Sequence, residues 1–328
     1  MRHADKAQIR TSWRAMAVLA GLALAVGCAN DASLEASEPQ DITINGSRVF
    51  PESVTSDAAG NLYNSSVSGI IYRATKGSPT AEPWISPTAE NGLTSLFGVL
   101  ADDANGRLWA CNNAPFGGPA RPDTVSSLKA FDLATGALQA SYDFPRGPAA
   151  CNDIAIAADG TVYATETAGG RIFALPTDAN ALTLFASGQD LVGVDGIAFA
   201  DDGAMYINNV RSNQVQRVKR KTDGAYDGLT NLTLSEPVSG PDGLRPVSGN
   251  RFIQAEGSGN RVTYVDIEGD NAKITVLKTG LESSPGVTFV GNVGYVTEGK
   301  IAYMMDPELR DKDPGTFMIR AFTLPEQP

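Results

Sequence analysis

The chain has 328 residues, of which 26 are basic and 37 are acidic, and its formal net charge is −11. This acidic surplus argues against nucleic acids and anionic membrane surfaces as partners, because both are bound through basic patches. The single histidine is His3, so the rest of the chain cannot build a Ser-His-Asp triad, a Cys-His pair or a histidine-bound zinc site. No glycine-rich phosphate loop joins a strand to a helix, and nucleotide-binding domains of that type are not predicted.

The first 27 residues have the pattern of a secretion signal. Basic residues from Arg2 to Arg14 precede an apolar run from Ala15 to Gly27, which is too short to span a membrane stably. The run ends in "AVGC", which resembles the lipobox of bacterial lipoproteins, so we predict a signal peptide over residues 1–27 and a lipidated Cys28. The alternative is an ordinary cleaved signal followed by an incidental cysteine.

Removal of the signal would increase the negative charge and leave a lipid anchor as the only membrane contact. Residues 1–27 hold four basic residues and one acidic residue, so the net charge without them is −14. Two acyl chains on Cys28 would suffice for stable attachment. Because Ala29 rather than aspartate follows the cysteine, we predict a lipoprotein of the bacterial cell envelope, on the outer membrane and facing the periplasm.

A tether and one strand are predicted ahead of the main domain. Residues 28–40 are rich in Ser, Ala and Glu and lack hydrophobic periodicity, which is typical of a flexible linker. "DITING", residues 41–46, predicts a strand. A propeller often recruits such a strand to complete its last blade, which removes the open sheet edge.

Six copies of a hairpin motif then follow along the chain. Each copy has an apolar strand, a turn of Asp, Gly or Asn, and a second strand, as in "CNDIAIAADGTVYATET" and "VDGIAFADDGAMYINNV". One aligned column contains these residues: Glu52, Gly98, Asn152, Asp195, Asp242 and Ser284. Neighbours in the column lie 42 to 54 residues apart, a period typical of propeller blades. We therefore predict an all-β, six-bladed β-propeller with four-stranded blades over residues 41–325, and a monomer.

Further strands are predicted after each hairpin. The third strands are "GIIYRA", "SSLKAFDL", "GRIFALP", "NQVQRV", "NRVTYVDI" and "KIAYMM", and fourth strands include "ALTLFAS" and "KITVLK". A Gly- and Pro-rich insertion from Phe116 to Asp123 follows the rim end of a strand, where it is expected to border a pocket mouth.

Two cysteines remain after Cys28. Cys111 ends the second strand of one repeat, and Cys151 begins the first strand of the next. The start of strand one and the end of strand two lie at the same end of a hairpin, so both cysteines face one rim of neighbouring blades. An extracytoplasmic compartment permits disulfides, and we predict a Cys111–Cys151 bridge.

The aligned column also predicts a metal site. First strands line the channel of a propeller, so Glu52, Asn152, Asp195 and Asp242 should converge on its axis. Oxygen donors of this kind suit Ca²⁺ first, with Zn²⁺, Mg²⁺ or Mn²⁺ as alternatives, and three carboxylates would repel one another without a cation. The alternative is that these residues are solvated turn residues at a blade rim.

A second polar column lies at the ends of the second strands. It contains Asn64, Asn112, Glu166, Asn208, Glu256 and Glu298. These residues could hydrogen-bond the metal ligands or contact substrate, or they could be polar residues at exposed strand ends.

The chain resembles the senescence marker protein/gluconolactonase family of six-bladed propellers, whose fold is similar to that of strictosidine synthase and the paraoxonases. The resemblance covers about Phe50 to Met304 and rests on "FPES", "CNDIAIAADG", "VDGIAFADDG" and "PDGL". It implies a divalent cation on Glu52, Asn152, Asp195 and Asp242, and lactone hydrolysis with Asp242 as ligand and base. Sugar lactonases of the family often carry an arginine where this chain has Ala150, which argues against a sugar-acid lactone.

The leading functional prediction is therefore a metal-dependent hydrolase of a lactone or related ester, acting on a small-molecule substrate. In this prediction Asp242 activates water or relays a proton, and Asn152 orients the substrate or stabilises the oxyanion. The alternative is a non-catalytic propeller that binds a ligand or partner protein and holds a structural metal. A lyase of the streptogramin-inactivating type is disfavoured because that chemistry relies on histidine.

Overall fold

A computed structural model describes residues 38–116, 125–145 and 149–325. They belong to one compact unit, Glu38–Pro328. The predicted signal peptide, Cys28, most of the tether and most of the insertion after Phe116 lie outside the described residues. Within the described part of the chain, no helix is long and apolar enough to cross a membrane.

The described residues are almost entirely β-structure. The strands are β1 (Ile42–Ile44), β2 (Pro51–Ser56), β3 (Leu62–Ser66), β4 (Ile71–Ala74), β5 (Thr80–Ile85), β6 (Ser95–Asp102), β7 (Arg107–Asn113), β8 (Ser127–Asp132), β9 (Leu138–Asp143), β10 (Cys151–Ile156), β11 (Val162–Glu166), β12 (Arg171–Leu175), β13 (Thr183–Ser187), β14 (Val194–Phe199), β15 (Met205–Asn209), β16 (Gln214–Arg220), β17 (Tyr226–Asn231), β18 (Thr233–Leu234), β19 (Pro241–Ser248), β20 (Arg251–Glu256), β21 (Arg261–Glu268), β22 (Asn271–Lys278), β23 (Val287–Val290), β24 (Val293–Thr297) and β25 (Phe317–Thr323). A 3₁₀ turn (Gln189–Leu191) and one short helix, α1 (Ala302–Met305), complete the elements.

The strands form groups of four antiparallel neighbours, which we call units; the members are consecutive in the sequence in every unit but the last. Units 1 to 4 are β2–β5, β6–β9, β10–β13 and β14–β17, unit 5 is β19–β22, and unit 6 is β23, β24, β25 and β1. Two features depart from six separate four-stranded sheets. Units 1 and 6 share one eight-stranded sheet through parallel pairing of β1 with β5, and β18 adds a fifth strand to unit 5.

The N-terminal strand completes the last unit, as the sequence predicts. Ile42 pairs with Ile319 and Ile44 with Phe317 in an antiparallel ladder between β1 and β25. The first and last parts of the described chain therefore share one sheet. This pairing protects the edge that β25 would otherwise expose.

The first strands of the units contact one another in a closed circuit. The strands β2, β6, β10, β14, β19 and β23 each contact the next, and β23 contacts β2. Six hydrophobic clusters lie outside this circuit, one between each pair of consecutive units, and the cluster with Phe50 and Phe317 joins unit 6 to unit 1. Burial of apolar surface between consecutive sheets stabilises the fold.

One predicted strand is wrong. "KIAYMM" was expected to be the third strand of the last repeat, but the amide of Met305 donates to the carbonyl of Ile301, and Ala302–Met305 is helical. The third strand is Phe317–Thr323, whose residues pair with β24. Alanine and methionine are strong helix formers, and the alternating "FMIRAFT" fits the sheet better.

Candidate functional site

The first strands of units 1 to 5 share one irregularity at their entrance. After the first pairing, or after the second in β6, two residues lack a registered partner before pairing resumes. These bulge pairs are Glu52-Ser53, Phe97-Gly98, Asn152-Asp153, Asp195-Gly196 and Asp242-Gly243. Bulges of this kind re-aim side chains and are common next to active sites. All four residues of the predicted metal set thus occupy the first position of an equivalent bulge.

The equivalent positions in the other two units differ from the sequence alignment by one residue. Pairing resumes at Val99 in unit 2, so Phe97 rather than Gly98 matches Glu52. In unit 6 the amide of Gly286 donates to Thr297 Oγ1, as the amide of Ser53 donates to Ser65 Oγ. Gly286 therefore occupies a second position, and the first position belongs to Pro285 rather than Ser284. The six first positions, which we call the outer ring, are Glu52, Phe97, Asn152, Asp195, Asp242 and Pro285.

The polar members of the outer ring are neighbours at one end of the channel. Asn152 Nδ2 donates to Asp195 Oδ2 at 3.0 Å and to Thr167 Oγ1 at 2.9 Å, and Asp195 and Glu52 are close enough to Asp242 for their charges to raise its pKa. Asn152 and Asp195 are buried, whereas Glu52 and Asp242 are partly exposed. The ring thus has a buried side and a side that water can reach.

Burial raises the pKa of all three ring carboxyls. Burial and then Asp195 and Asp153 raise the pKa of Glu52 well above its usual value, and Arg245 opposes them. The pKa of Asp195 rises to about 7, through burial and the charge of Asp153. Burial, Asp195 and Glu52 raise the pKa of Asp242 well above its usual value. Repulsion was expected from the sequence, but desolvation is the larger cause.

The donor chemistry of the outer ring fits a hard divalent cation. Three carboxyls and an amide supply oxygen ligands, and Asp195 Oδ1 is buried without a hydrogen-bond partner, which is costly unless something else satisfies it. Among the described residues, however, no three His, Cys, Asp or Glu side chains converge as a metal-binding group. A cation here would therefore need the amide oxygen of Asn152 as well as carboxylate oxygens.

Glycines allow the first strands to approach one another at the second bulge positions. We call these positions the inner ring; they are Ser53, Gly98, Asp153, Gly196, Gly243 and Gly286. A Cβ at Gly98 would lie 2.1 Å from the carbonyl oxygen of Asn152, and one at Gly196 would lie 2.3 Å from that of Asp242. Only glycine tolerates such a close backbone contact, so these residues set the spacing of the outer ring.

The sequence interpretation missed a buried ion pair beside this ring. Both oxygens of Asp153 accept hydrogen bonds from the guanidinium of Arg245, at 2.7 and 2.9 Å. Asp153 directly follows Asn152 in "CNDI", and Arg245 follows "PDGL". Both lie in motifs that the sequence singles out, but nothing in the sequence indicates that residues 92 positions apart form a pair.

The predicted second column is buried. All six residues are at most 4 % exposed, so their interpretation as exposed strand ends is wrong. Glu166, Glu256 and Glu298 each pair with an arginine and accept backbone amides. Asn208 alone of the six lies opposite a bulge, where it accepts the Gly196 amide at 2.7 Å and donates to the Asp242 carbonyl at 2.6 Å.

Three further positions named from the sequence lie at the same rim. Cys111 and Cys151 are joined by a disulfide with a Cα separation of 5.1 Å, and both are fully buried. The amide of Ala150 donates to Glu166 Oε1 at 3.0 Å. The start of β10 is thus tied to unit 2 through the disulfide and to β11 through Glu166.

Solved structures of similar fold were found, whereas no protein-family profile and no curated protein matches the chain. A proposed gluconolactonase has a TM-score of 0.61 at 16 % identity, covering 89 % of this chain and 95 % of its own. A gluconolactonase from Xanthomonas campestris has a TM-score of 0.60 at 19 % identity, covering 84 % and 87 %. A virginiamycin B lyase from Staphylococcus aureus has a TM-score of 0.57 at 16 % identity, covering 86 % and 82 %; in that protein a histidine-to-alanine change is described as catalytically inactive. At these identities the likeness shows that the chain has the β-propeller fold of these proteins.

Proposed function

We propose that the chain is a six-bladed β-propeller with four-stranded blades and that it is a divalent-cation-dependent hydrolase of a lactone or related ester. The six units would be the blades, with β18 an addition to the fifth. The observation that carries the activity is the outer ring, in which Glu52, Asn152, Asp195 and Asp242 occupy equivalent bulges around one channel. The gluconolactonases of similar fold are consistent with this chemistry.

Glu52, Asp195, Asp242 and the amide oxygen of Asn152 would hold the cation. When bound, a divalent cation supplies Lewis acidity toward a carbonyl oxygen. Ca²⁺ is the first candidate because every donor is a hard oxygen.

Asp242 is the proposed general base. It is partly exposed, and burial together with the charges of Asp195 and Glu52 raises its pKa above that of an ordinary aspartate, which makes its carboxylate a stronger base. Asp242 would take a proton from water as the oxygen adds to the ester carbon. The proton would then pass to the alkoxide released when the ester C–O bond breaks. Asn152, fixed by Thr167, would orient the ester.

The apolar members of the outer ring favour a substrate with an apolar substituent. Phe97 occupies a ring position, and its ring centroid lies 6.1 Å from that of Phe116, which is 42 % exposed. Ala150 stands where an arginine would contact a sugar acid. We therefore propose alkyl-substituted lactones as better substrates than sugar-acid lactones.

A panel of alkyl and sugar-acid lactones, assayed with Ca²⁺ and with a chelator, tests this proposal. We expect hydrolysis that the chelator abolishes and that Ca²⁺ restores. A protein that binds Ca²⁺ but hydrolyses no member of the panel would favour the alternative, a non-catalytic binding propeller. A protein that neither binds Ca²⁺ nor hydrolyses a lactone would contradict the metal site as well.

We further propose that Cys28 is lipidated and anchors the protein in the bacterial cell envelope. The basis is the "AVGC" pattern after an apolar run. Cys28→Ser should move the protein from the membrane fraction to the soluble fraction. Unchanged membrane association of that variant would contradict the anchor.

A further inference from the structure

A single buried guanidinium contacts every side chain that the inner ring presents. Four of its six members are glycines, and the other two are Ser53 and Asp153. Arg245 donates to both, with its fork on the two Asp153 oxygens and Nη2 3.4 Å from Ser53 Oγ. Arg245 is 6 % exposed and Asp153 is 3 % exposed, so the pair is removed from solvent.

These contacts join sheets that do not neighbour each other. Ser53, Asp153 and Arg245 lie on β2, β10 and β19, the first strands of units 1, 3 and 5. Asp153 Oδ2 also accepts the Ile197 amide at 3.2 Å, which adds the first strand of unit 4. Arg245 Nη1 donates in addition to the carbonyl of Leu244 at 2.8 Å. The pair thus connects strands separated by 92 and 192 residues in the sequence.

The strands that are joined carry the outer ring. Ser53 follows Glu52, Asp153 follows Asn152, and Arg245 lies three residues after Asp242. The guanidinium is also the positive charge that acts on Glu52 against the neighbouring carboxylates. Arg245 and its partners therefore affect both the position of the outer-ring residues and the charge that acts on Glu52.

We propose that Arg245 is a positioning residue and the channel's built-in cation. Through Asp153 and Ser53 it holds three alternate first strands in register, and its charge sets how strongly the outer ring attracts a further cation. We call the contacts of Arg245 with Asp153 and Ser53 the clamp. The clamp is inferred from these contacts alone, whereas the effect on cation affinity rests on the proposed function. Asp153 and Arg245 need touch neither substrate nor metal for this role.

The clamp is tested by thermal unfolding in chelator of Arg245→Gln, Asp153→Asn and the double variant. Each single change leaves one buried charge unpaired, which we expect to lower Tm by about 10 °C. The double change removes both charges, so its loss should be smaller than the sum of the two single losses. Arg251→Gln, which breaks a partly exposed pair with Asp266 in the same unit, is the matched control and should lower Tm far less. Additive losses, or single variants with the Tm of the wild type, would overturn the clamp.

The charge is tested by Ca²⁺ titration calorimetry of the same variants at low salt. Removing the positive charge in Arg245→Gln should tighten Ca²⁺ binding about tenfold, and removing the negative charge in Asp153→Asn should weaken it about tenfold. Both shifts should shrink with added salt. Arg245→Lys keeps the charge but loses the fork, so its Tm should fall while its Ca²⁺ affinity stays within about threefold of the wild type.

The two hypotheses fail in distinguishable ways. Weaker Ca²⁺ binding in both Arg245→Gln and Asp153→Asn would mean that the pair acts only on structure, and it would overturn the built-in cation. Should Arg245→Gln fail to fold, the comparison of Arg245→Lys with Asp153→Asn still decides the charge effect. A wild type that binds no Ca²⁺ would contradict the proposed metal site, while the unfolding measurements in chelator would still decide the clamp.

Discussion

The dipeptide Asp-Gly occurs twice within "VDGIAFADDG", and the two copies have opposite environments. Asp195 lies in a bulge at the channel and is 4 % exposed, whereas Asp202 is exposed in the hairpin turn, where its Oδ1 accepts the Ala204 amide at 2.8 Å. Gly203 adopts φ +82°, as the turn requires. Gly196 is needed for another reason, because a Cβ there would lie 2.3 Å from a carbonyl oxygen. The same two residues thus serve a site in one place and a turn in the other.

The ionisation of turn and ring aspartates differs in the same way. At the turn that contains Asp159, hydrogen bonds from the backbone and side chain of Thr161 lower the pKa of the carboxyl. At the ring, burial and neighbouring charge raise the pKa of Asp195 to about 7. A carboxylate that accepts its hydrogen bonds from a turn is structural. A buried carboxylate with too few hydrogen-bond donors can instead take up a proton or bind a cation.

The largest expected effect is the loss of hydrolysis when Asp242, rather than a turn aspartate, is replaced by asparagine. Asp242→Asn removes the proposed base while nearly keeping its shape, and we expect hydrolysis of the best lactone to fall by about 10²–10⁴-fold. Asp202→Asn is the matched control and should keep wild-type activity. Steady-state rates together with Ca²⁺ binding measure both roles. If Asp242→Asn lost the metal but kept hydrolysis, Asp242 would be a ligand only.

The pH dependence of stability should distinguish Asp195 from Asp159. A raised folded pKa contributes stability that is fully present below the unfolded value of 3.8 and is lost as pH rises through about 7. In chelator the wild type should therefore lose up to about 4 kcal/mol of unfolding free energy through this group between pH 4 and pH 8. Asp195→Asn should flatten this slope, as measured by Tm against pH.

Asp159→Asn is the control for that measurement. Because the pKa of Asp159 is lowered in the folded state, its ionisation affects stability only below its unfolded pKa. The slope of Tm against pH between pH 5 and pH 8 should therefore not change. An Asp195→Asn profile that runs parallel to the wild type over this range would show that Asp195 does not titrate there.

A bound cation should offset the loss of stability that accompanies ionisation of the ring carboxyls. Ca²⁺ that binds only the folded state at 100 times its Kd would stabilise it by about 2.7 kcal/mol. The rise in Tm should be larger at pH 8 than at pH 5, because protonated carboxyls bind metal poorly. Differential scanning calorimetry at both pH values measures it. An equal rise in Asp195→Asn would mean that the cation binds elsewhere.

The smallest expected effect is the difference in stability loss between alanine substitutions at Gly196 and at Gly203. In Gly203→Ala the added Cβ meets no atom within 4 Å, so only the positive φ costs about 1 kcal/mol. In Gly196→Ala the backbone must shift, and we expect a loss of about 2–3 kcal/mol, together with weaker Ca²⁺ binding. Chemical denaturation gives both values, and equal losses would argue against close strand contact at the inner ring.

Local sequence patterns were sufficient to predict much of the fold. Alternating apolar residues around turns of Asp, Gly or Asn predicted the six hairpins, and "DITING" predicted the strand that pairs with Phe317–Ile319. Both depend on interactions that a strand's own residues specify, namely side-chain alternation and turn conformation. "KIAYMM" was assigned wrongly because a short apolar run does not distinguish strand from helix.

The sequence by itself determined which residue types could reach the channel: it placed Glu52, Asn152, Asp195 and Asp242 in one column of a repeat. Only the tertiary structure decided their register and their partners. A strand alternates with a period of two, so a one-residue error placed Gly98 where Phe97 belongs, and the bulges that correct it are visible only once strands pair. The contact of Arg245 with Asp153 was likewise inaccessible, because it joins first strands of separate sheets. The need for glycine at four inner-ring positions was inaccessible for the same reason, because a side chain there would meet the backbone of a neighbouring first strand.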